Sequence, residues 1–286
     1  MGTTHRVTGS DGTELSVYEC GQPDGQPIFL IHGFAQSCLS WNHQFDSALA
    51  DEFRIVAMDL RGHGMSGKPM TAASYNDGKL WADDVAAVID QLKLDRPVLA
   101  GWSYGGLVIS DYIKSYGDGN IGAINFVGAA ATIGTEEASK LIGPGIMEMV
   151  PGLMSEDLAE NIAATRQFIL NCSAAPPSAE DLETALAFNM MVPPKVRLWM
   201  FSREVHFGET LATVTVPTLV THGSVDNVVL PLMAEVIMSA VPGAEKSLYD
   251  GIGHAPFMED ADRFNREIAT LARSVGAGQE AVRTAS

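Results

Sequence analysis

Basic residues, cysteine and long apolar runs are all scarce in this 286-residue chain, and each shortage narrows its possible roles. Eighteen Lys and Arg stand against 35 Asp and Glu, a formal net charge of −17. A field of that sign repels phosphate backbones and anionic headgroups, so neither nucleic acid nor a membrane surface is an expected partner. The three cysteines, Cys20, Cys38 and Cys172, lie far apart with no CxxC spacing. They suit neither a disulfide framework nor a zinc site, and they fit thiols kept reduced in a cytoplasm. No apolar run approaches the roughly 18 residues of a membrane span. Residues 1–13 are polar and lack the apolar stretch of a secretory signal, while Arg6 breaks a myristoylation pattern. Without such a signal, the sequon Asn171-Cys172-Ser173 is read as coincidence. The expectation is a cytoplasmic protein with no metal and no cofactor; its oligomeric state is left open.

What the chain does have is apolar content, 46%, arranged in a rhythm. Strand-like runs at 14–20, 27–31, 54–60, 97–102 and 121–127 alternate with helical spacing at 41–50, 80–92 and 107–116. This alternation predicts an α/β fold with a mostly parallel sheet and helices on both faces. The rhythm stops near Ala131. Residues 132–210 are rich in Met, Pro and Ala and show no convincing strand. Helix starts are predicted at Ser155-Glu156-Asp157 and at Ser178, with Pro176-Pro177 and Pro193-Pro194 as punctuation. From Val216 the alternation resumes with strands at 216–221 and 245–249 and helices at 230–240 and 261–275; the tail after Gly276 is expected to fray. The division read from this pattern is a core made of 1–131 and 211–286, with 132–210 inserted as a helical cap.

Chemistry concentrates where the strand-like runs end. Gly101-Trp102-Ser103-Tyr104-Gly105 sits between a strand and a helix, which is the setting of a nucleophile elbow. A serine hydroxyl is a poor nucleophile until a base takes its proton, and the base needs a third group to orient it. Asp226, after the strand at 216–221, and His254, after the strand at 245–249, supply acid and base in the order Ser, acid, His. The oxyanion donors expected are the backbone N–H groups of Tyr104 and of Phe34 in His32-Gly33-Phe34. Other polar residues have plainer readings. His5 and His43 are expected to be solvated, and His63 to be a structural loop residue. His206, in the cap, is a weaker candidate to face the pocket, and His222 a poor candidate for the base. Asp59 is expected to bond nearby backbone amides, and Glu259 and Asp260 to cap the following helix. Lys195, Arg197 and Arg203 read as a solvated helix face. Cap methionines and aromatics, among them Met147, Met149, Met154, Phe168, Phe201 and Phe207, are candidates to line an apolar substrate site.

Ile31-His32-Gly33-Phe34, Asp59 to Ser66, Gly101 to Gly106, Gly223 to Asp226 and Gly253-His254 together resemble the α/β-hydrolase superfamily. The likeness lies in its serine carboxylesterase and cofactor-free haloperoxidase-like branch. It implies an eight-stranded, mostly parallel sheet, a cap inserted after the sixth strand, and the triad Ser103, Asp226 and His254. It implies a small-molecule ester as substrate; C–C bond hydrolysis, acyl transfer, perhydrolysis and slow-turnover ligand reception stay open as alternatives. Ala35 and Ala255 depart from the Pro and Gly that peroxidase-like members often carry after the oxyanion aromatic and the catalytic histidine.

Overall fold

The computed structural model describes residues 2–284, with side-chain environments through Val275. Its strands are β1 (Thr3–Thr8), β2 (Glu14–Gly21), β3 (Pro27–Ile31), β4 (Arg54–Met58), β5 (Val98–Trp102), β6 (Ala123–Val127), β7 (Thr132–Ile133), β8 (Val205–His206), β9 (Thr218–Gly223) and β10 (Glu245–Tyr249). Eight form one sheet in the order β1-β2-β4-β3-β5-β6-β9-β10. β2 runs antiparallel to β1 and to β4, and every other pairing is parallel. β3, β5 and β6 are buried at every position, as expected of strands covered on both faces.

Because successive strand residues point to opposite faces, each central strand feeds two cores. Phe29, Ile31, Val56 and Leu99 join one cluster with helices Gly78–Gln91 and Tyr104–Tyr116. Ile28, Leu30, Ile55 and Val98 join the other, which includes Phe264 and Ile268 of the last helix, Ala261–Thr284. That helix continues past Gly276, so the expected fraying does not begin there. β1 escapes the sequence reading because it is an edge strand with Val7 as its single buried residue. The helical spacing at 41–50 becomes three short turns, Cys38–Trp41, Asn42–Phe45 and Ala48–Asp51.

β6 and β9 are neighbours in the sheet, so residues 128–217 form one long crossover between them. Its main helices are Leu158–Asn171, Ala179–Met190 and Pro194–Phe201. The first starts at Asp157, whose carboxylate accepts from the N–H groups of Ala159 and Glu160. The second starts at Ser178, whose hydroxyl accepts from Asp181 N–H. The expectation of no strand here needs correction: β7 and β8 pair as a small antiparallel ribbon. At two residues each they are too short to leave a periodic signal.

Candidate active site

Ser103 stands between β5 and the helix Tyr104–Tyr116 with φ 55° and ψ −115°, a backbone region that L-residues avoid. Its surroundings hold it there. Ser103 N–H donates to Val127 O, and Ser103 O accepts from Ala130 N–H. The turn also requires glycine on both sides. A Cβ at Gly101 would come 2.7 Å from Gly105 O, and one at Gly105 would come 2.5 Å from Ile31 O. Strain of roughly 1–3 kcal/mol persists only where a surrounding structure over-determines it, and here it presents the hydroxyl at the end of the sheet.

The acid and the histidine arrive on neighbouring strands. Asp226 follows β9, His254 follows β10, and Asp226 Oδ2 lies 2.7 Å from His254 Nδ1. Both residues are buried. Asp226 Oδ1 accepts from the N–H groups of Val228 and Val229, which fixes the carboxylate plane. Burial by itself would raise this carboxyl, but His254 and His222 outweigh it and hold it at about 2. His254 is set beside the elbow by Trp102, whose indole N–H donates to His254 O at 2.9 Å. With Nδ1 on the carboxylate, Nε2 is the ring nitrogen left to exchange a proton. Neither Nε2 nor Ser103 Oγ makes a hydrogen bond among the described residues, as is common before a substrate tightens such a site.

The loop after β3 closes over the serine. A Cβ at Gly33 would sit 2.9 Å from Ser103 Cβ. The N–H groups of Phe34 and Tyr104 have no hydrogen-bond acceptor among the described residues, the latter because it opens a helix. Two buried imidazoles shape this loop. His32 Nε2 accepts from Leu60 N–H and its Nδ1 lies 2.8 Å from Gly33 O. His63 Nε2 accepts from Ala35 N–H and its Nδ1 lies 2.9 Å from Arg61 O. Each ring therefore carries its proton on Nδ1 and is neutral. Burial pushes His32 down to about 4 and His63 well below its ordinary value. His63 is the structural loop residue expected of it; the bracing role of His32 leaves no signal in a motif that also supplies the loop itself.

Phe34, Ser103 and Tyr104 line a cavity of about 270 Å³ together with Leu107, Ala130, Ile133, Ile142, Ile146, Val228 and Val229. No charged or imidazole side chain lines it. Of the cap methionines and aromatics, only Met147 and Phe201 reach it. The remainder of the wall is uncharged and mostly aliphatic, with the hydroxyls of Thr135 and Ser139 as its polar exceptions, so the Met-rich lining expected from composition is largely replaced. Phe168 packs edge-on against Phe34 instead, at 6.3 Å between ring centroids, and Phe201 meets Phe34 edge-on at 5.8 Å while also facing the cavity.

Other placements differ from expectation. Arg197 and Arg203 are buried, at 0% and 3% exposure, and are no solvated face; of the three cations, Lys195 alone is exposed. Glu259 does not cap a helix: its carboxylate accepts from the N–H groups of Gly253 and Ala174, tying the His254 loop to the crossover. Asp260 does cap, accepting from Arg263 N–H. Asp59 accepts from Met65 N–H and also from Cys38 N–H. His206 is exposed and is not among the residues lining the Ser103 cavity. Among the described residues, no three His, Cys, Asp or Glu side chains converge as a metal site would require.

Residues 28–267 match the alpha/beta hydrolase family, and the chain belongs to it. It is similar to the esterase RhEst1 from Rhodococcus sp. ECU1013, with a TM-score of 0.90 and 36% identity over 95% of this chain and 99% of that one. A non-heme haloperoxidase from Rhodococcus erythropolis is 28% identical over 94% of this chain and 99% of its own length. A bifunctional esterase/perhydrolase from Acinetobacter calcoaceticus is likewise 28% identical over 94% of this chain and 99% of its own length. These relatives set the chain in the esterase and haloperoxidase-like branch of the family. No helix among the described residues is long and apolar enough to cross a membrane.

Proposed function

We propose that this protein hydrolyses carboxylic esters with compact, uncharged acyl groups, through an acyl-enzyme on Ser103. One observation carries the reading: Phe34, Ser103 and Tyr104 open onto a single cavity whose wall bears no charge. Ser103 Oγ attacks the ester carbonyl while His254 Nε2 takes its proton. The oxyanion is held by the N–H groups of Phe34 and Tyr104, each contributing about 3 kcal/mol. His254 then protonates the leaving alkoxide, and a water, activated by the same nitrogen, releases the acid. Asp226 stays ionised throughout and stabilises the imidazolium. The segment 132–210 acts as a cap, supplying Ile133, Ile142, Ile146 and Met147 as the far wall of the acyl site. The three cysteines are unpaired, in keeping with a reducing cytoplasm.

Perhydrolysis at the same triad is a side activity on this reading. Ala35 has φ 59° and donates its N–H to His63, and proline can do neither. The oxyanion loop is therefore built differently from one with proline at that position. The test is turnover of p-nitrophenyl esters, vinylogous diketones and peroxide-dependent substrates by wild type and Ser103→Ala. Ester turnover should fall about 10⁶-fold in the variant. Near-normal ester hydrolysis by it, or a wild type active on diketones alone, would overturn the proposal.

A further inference from the structure

Asp226 meets a second imidazole. His222, on β9, is fully buried, and its Nε2 lies 2.9 Å from Val229 O and 3.2 Å from Asp226 Oδ2. A carbonyl oxygen can only accept, so Nε2 carries the proton and donates to both oxygens. Nδ1 is buried without a partner, which leaves Nε2–H as the ring's one useful bond. Oδ2 is the same oxygen that receives His254 Nδ1.

We infer that His222 is a positioning residue: it clamps the 226–229 turn by donating at once to its first side chain and its last carbonyl, and so aims Asp226 at His254. The role rests on the triad reading above. One consequence follows from the geometry. Without the clamp, Oδ2 is free to rotate away from Nδ1, which lowers kcat without touching the acyl site. The other titratable groups nearby are Cys172, which burial keeps a neutral thiol, and Glu259, which is tied to Gly253 and Ala174. Neither contacts His222.

The experiment compares His222→Leu, His222→Gln and His222→Asn with wild type and Ser103→Ala on one p-nitrophenyl ester. Gln can bring an N–H close to the position of Nε2, whereas the shorter Asn cannot. His222→Leu should lose about tenfold in kcat, the size of one hydrogen bond to a charged group, with KM nearly unchanged. The downfield proton NMR signal of His254 Nδ1–H should move upfield. His222→Gln should restore both towards wild type and His222→Asn should not. Should His222→Leu fail to fold, the Gln and Asn pair decides. Equal kinetics and equal Nδ1–H signals in these two would overturn the role, as would a folded Leu variant with wild-type kcat and a wild-type Nδ1–H signal. Failure of the triad reading would look different, because Ser103→Ala would then keep its activity.

Discussion

The loops nearest Ser103 and the helices between β6 and β9 both bury polar groups, and they do so with different chemistry. Around Ser103 the braces are neutral or carry a fully satisfied charge. His32 and His63 are uncharged imidazoles accepting backbone N–H groups, and Asp226 receives two amides and His254. In the crossover the braces are cations. Arg203 donates to both oxygens of Asp111 and to Tyr104 Oη, linking the end of the inserted helices to the helix that starts at the elbow. Tyr104 and Asp111 hold its guanidinium charged despite burial. Arg197 joins three inserted segments through Leu153 O, Asn161 Oδ1, Thr165 Oγ1 and Asn189 O, with no carboxylate among its contacts. Burial alone pulls it down to about 10. The lesson is one of tolerance. A site that must keep its reacting atoms in place is braced by short bonds to backbone. An insertion that must hold helices of weak amphipathic pattern together uses long side chains reaching several segments.

The contrast sorts the expected effects of substitution. Asp226→Asn should leave the fold intact and lower kcat by about 10⁴, because the amide favours the wrong histidine tautomer; unchanged unfolding with lost turnover is the result to look for. Arg203→Met should do the reverse. It leaves Asp111 buried without its partner, at a cost of about 3–5 kcal/mol, read as a lower urea midpoint. Arg203→Met with Asp111→Leu should recover much of that loss, since both charges are then gone. Failure to recover would mean that Tyr104, not the ion pair, is what Arg203 supports. Arg197→Met should cost less, about 1–3 kcal/mol, because it strands neutral acceptors and no carboxylate. A loss equal to that of Arg203→Met would break the distinction drawn between the two arginines.

The mildest perturbation is pH. His32 and His63 are neutral in the fold, with folded values below 6.5. As pH drops from about 6.5 towards about 4, the unfolded chain takes up protons that these rings refuse. Their contribution to stability is complete above the upper value and is lost across that window. Asp84 and Asp111, raised by burial to about 6, titrate in the same window with the opposite sign, so the histidine share is read as the change in slope between wild type and a His63 variant. Replacing His63 by Gln, which keeps an acceptor for Ala35 N–H, should flatten part of the slope.

Much of the site is legible before folding because it lies in short, local patterns. The elbow around Ser103, the loop at His32-Gly33-Phe34 and the positions of Asp226 and His254 each end a strand visible as an apolar run. Other residues hide. Arg197 sits in the short helix Pro194–Phe201 and Arg203 just beyond its end, among Lys, Ser and Glu, where charge usually means solvent; their burial depends on which segments meet. Glu259 closes the turn Pro256–Glu259 just before the last helix and looks like a cap, yet its carboxylate reaches back to Gly253 and to Ala174, 85 positions earlier. The cavity wall is mostly aliphatic rather than Met-rich because the 133–147 segment reaches the serine first. That segment is stitched to the acid loop, with Gly143 N–H donating to Val228 O and Leu230 N–H to Leu141 O.

The sequence by itself determined the mostly parallel sheet, the chain order of Ser103, Asp226 and His254 at strand ends and the strained turn at Ser103, since these follow from periodicities and from glycines within a few positions. Only the tertiary structure decided which oxygen of Asp226 faces which imidazole, which residues wall the cavity and where the crossover's cations go. Those outcomes depend on contacts between segments tens of residues apart, and a side chain's worth there is set by its neighbours and its distance from water.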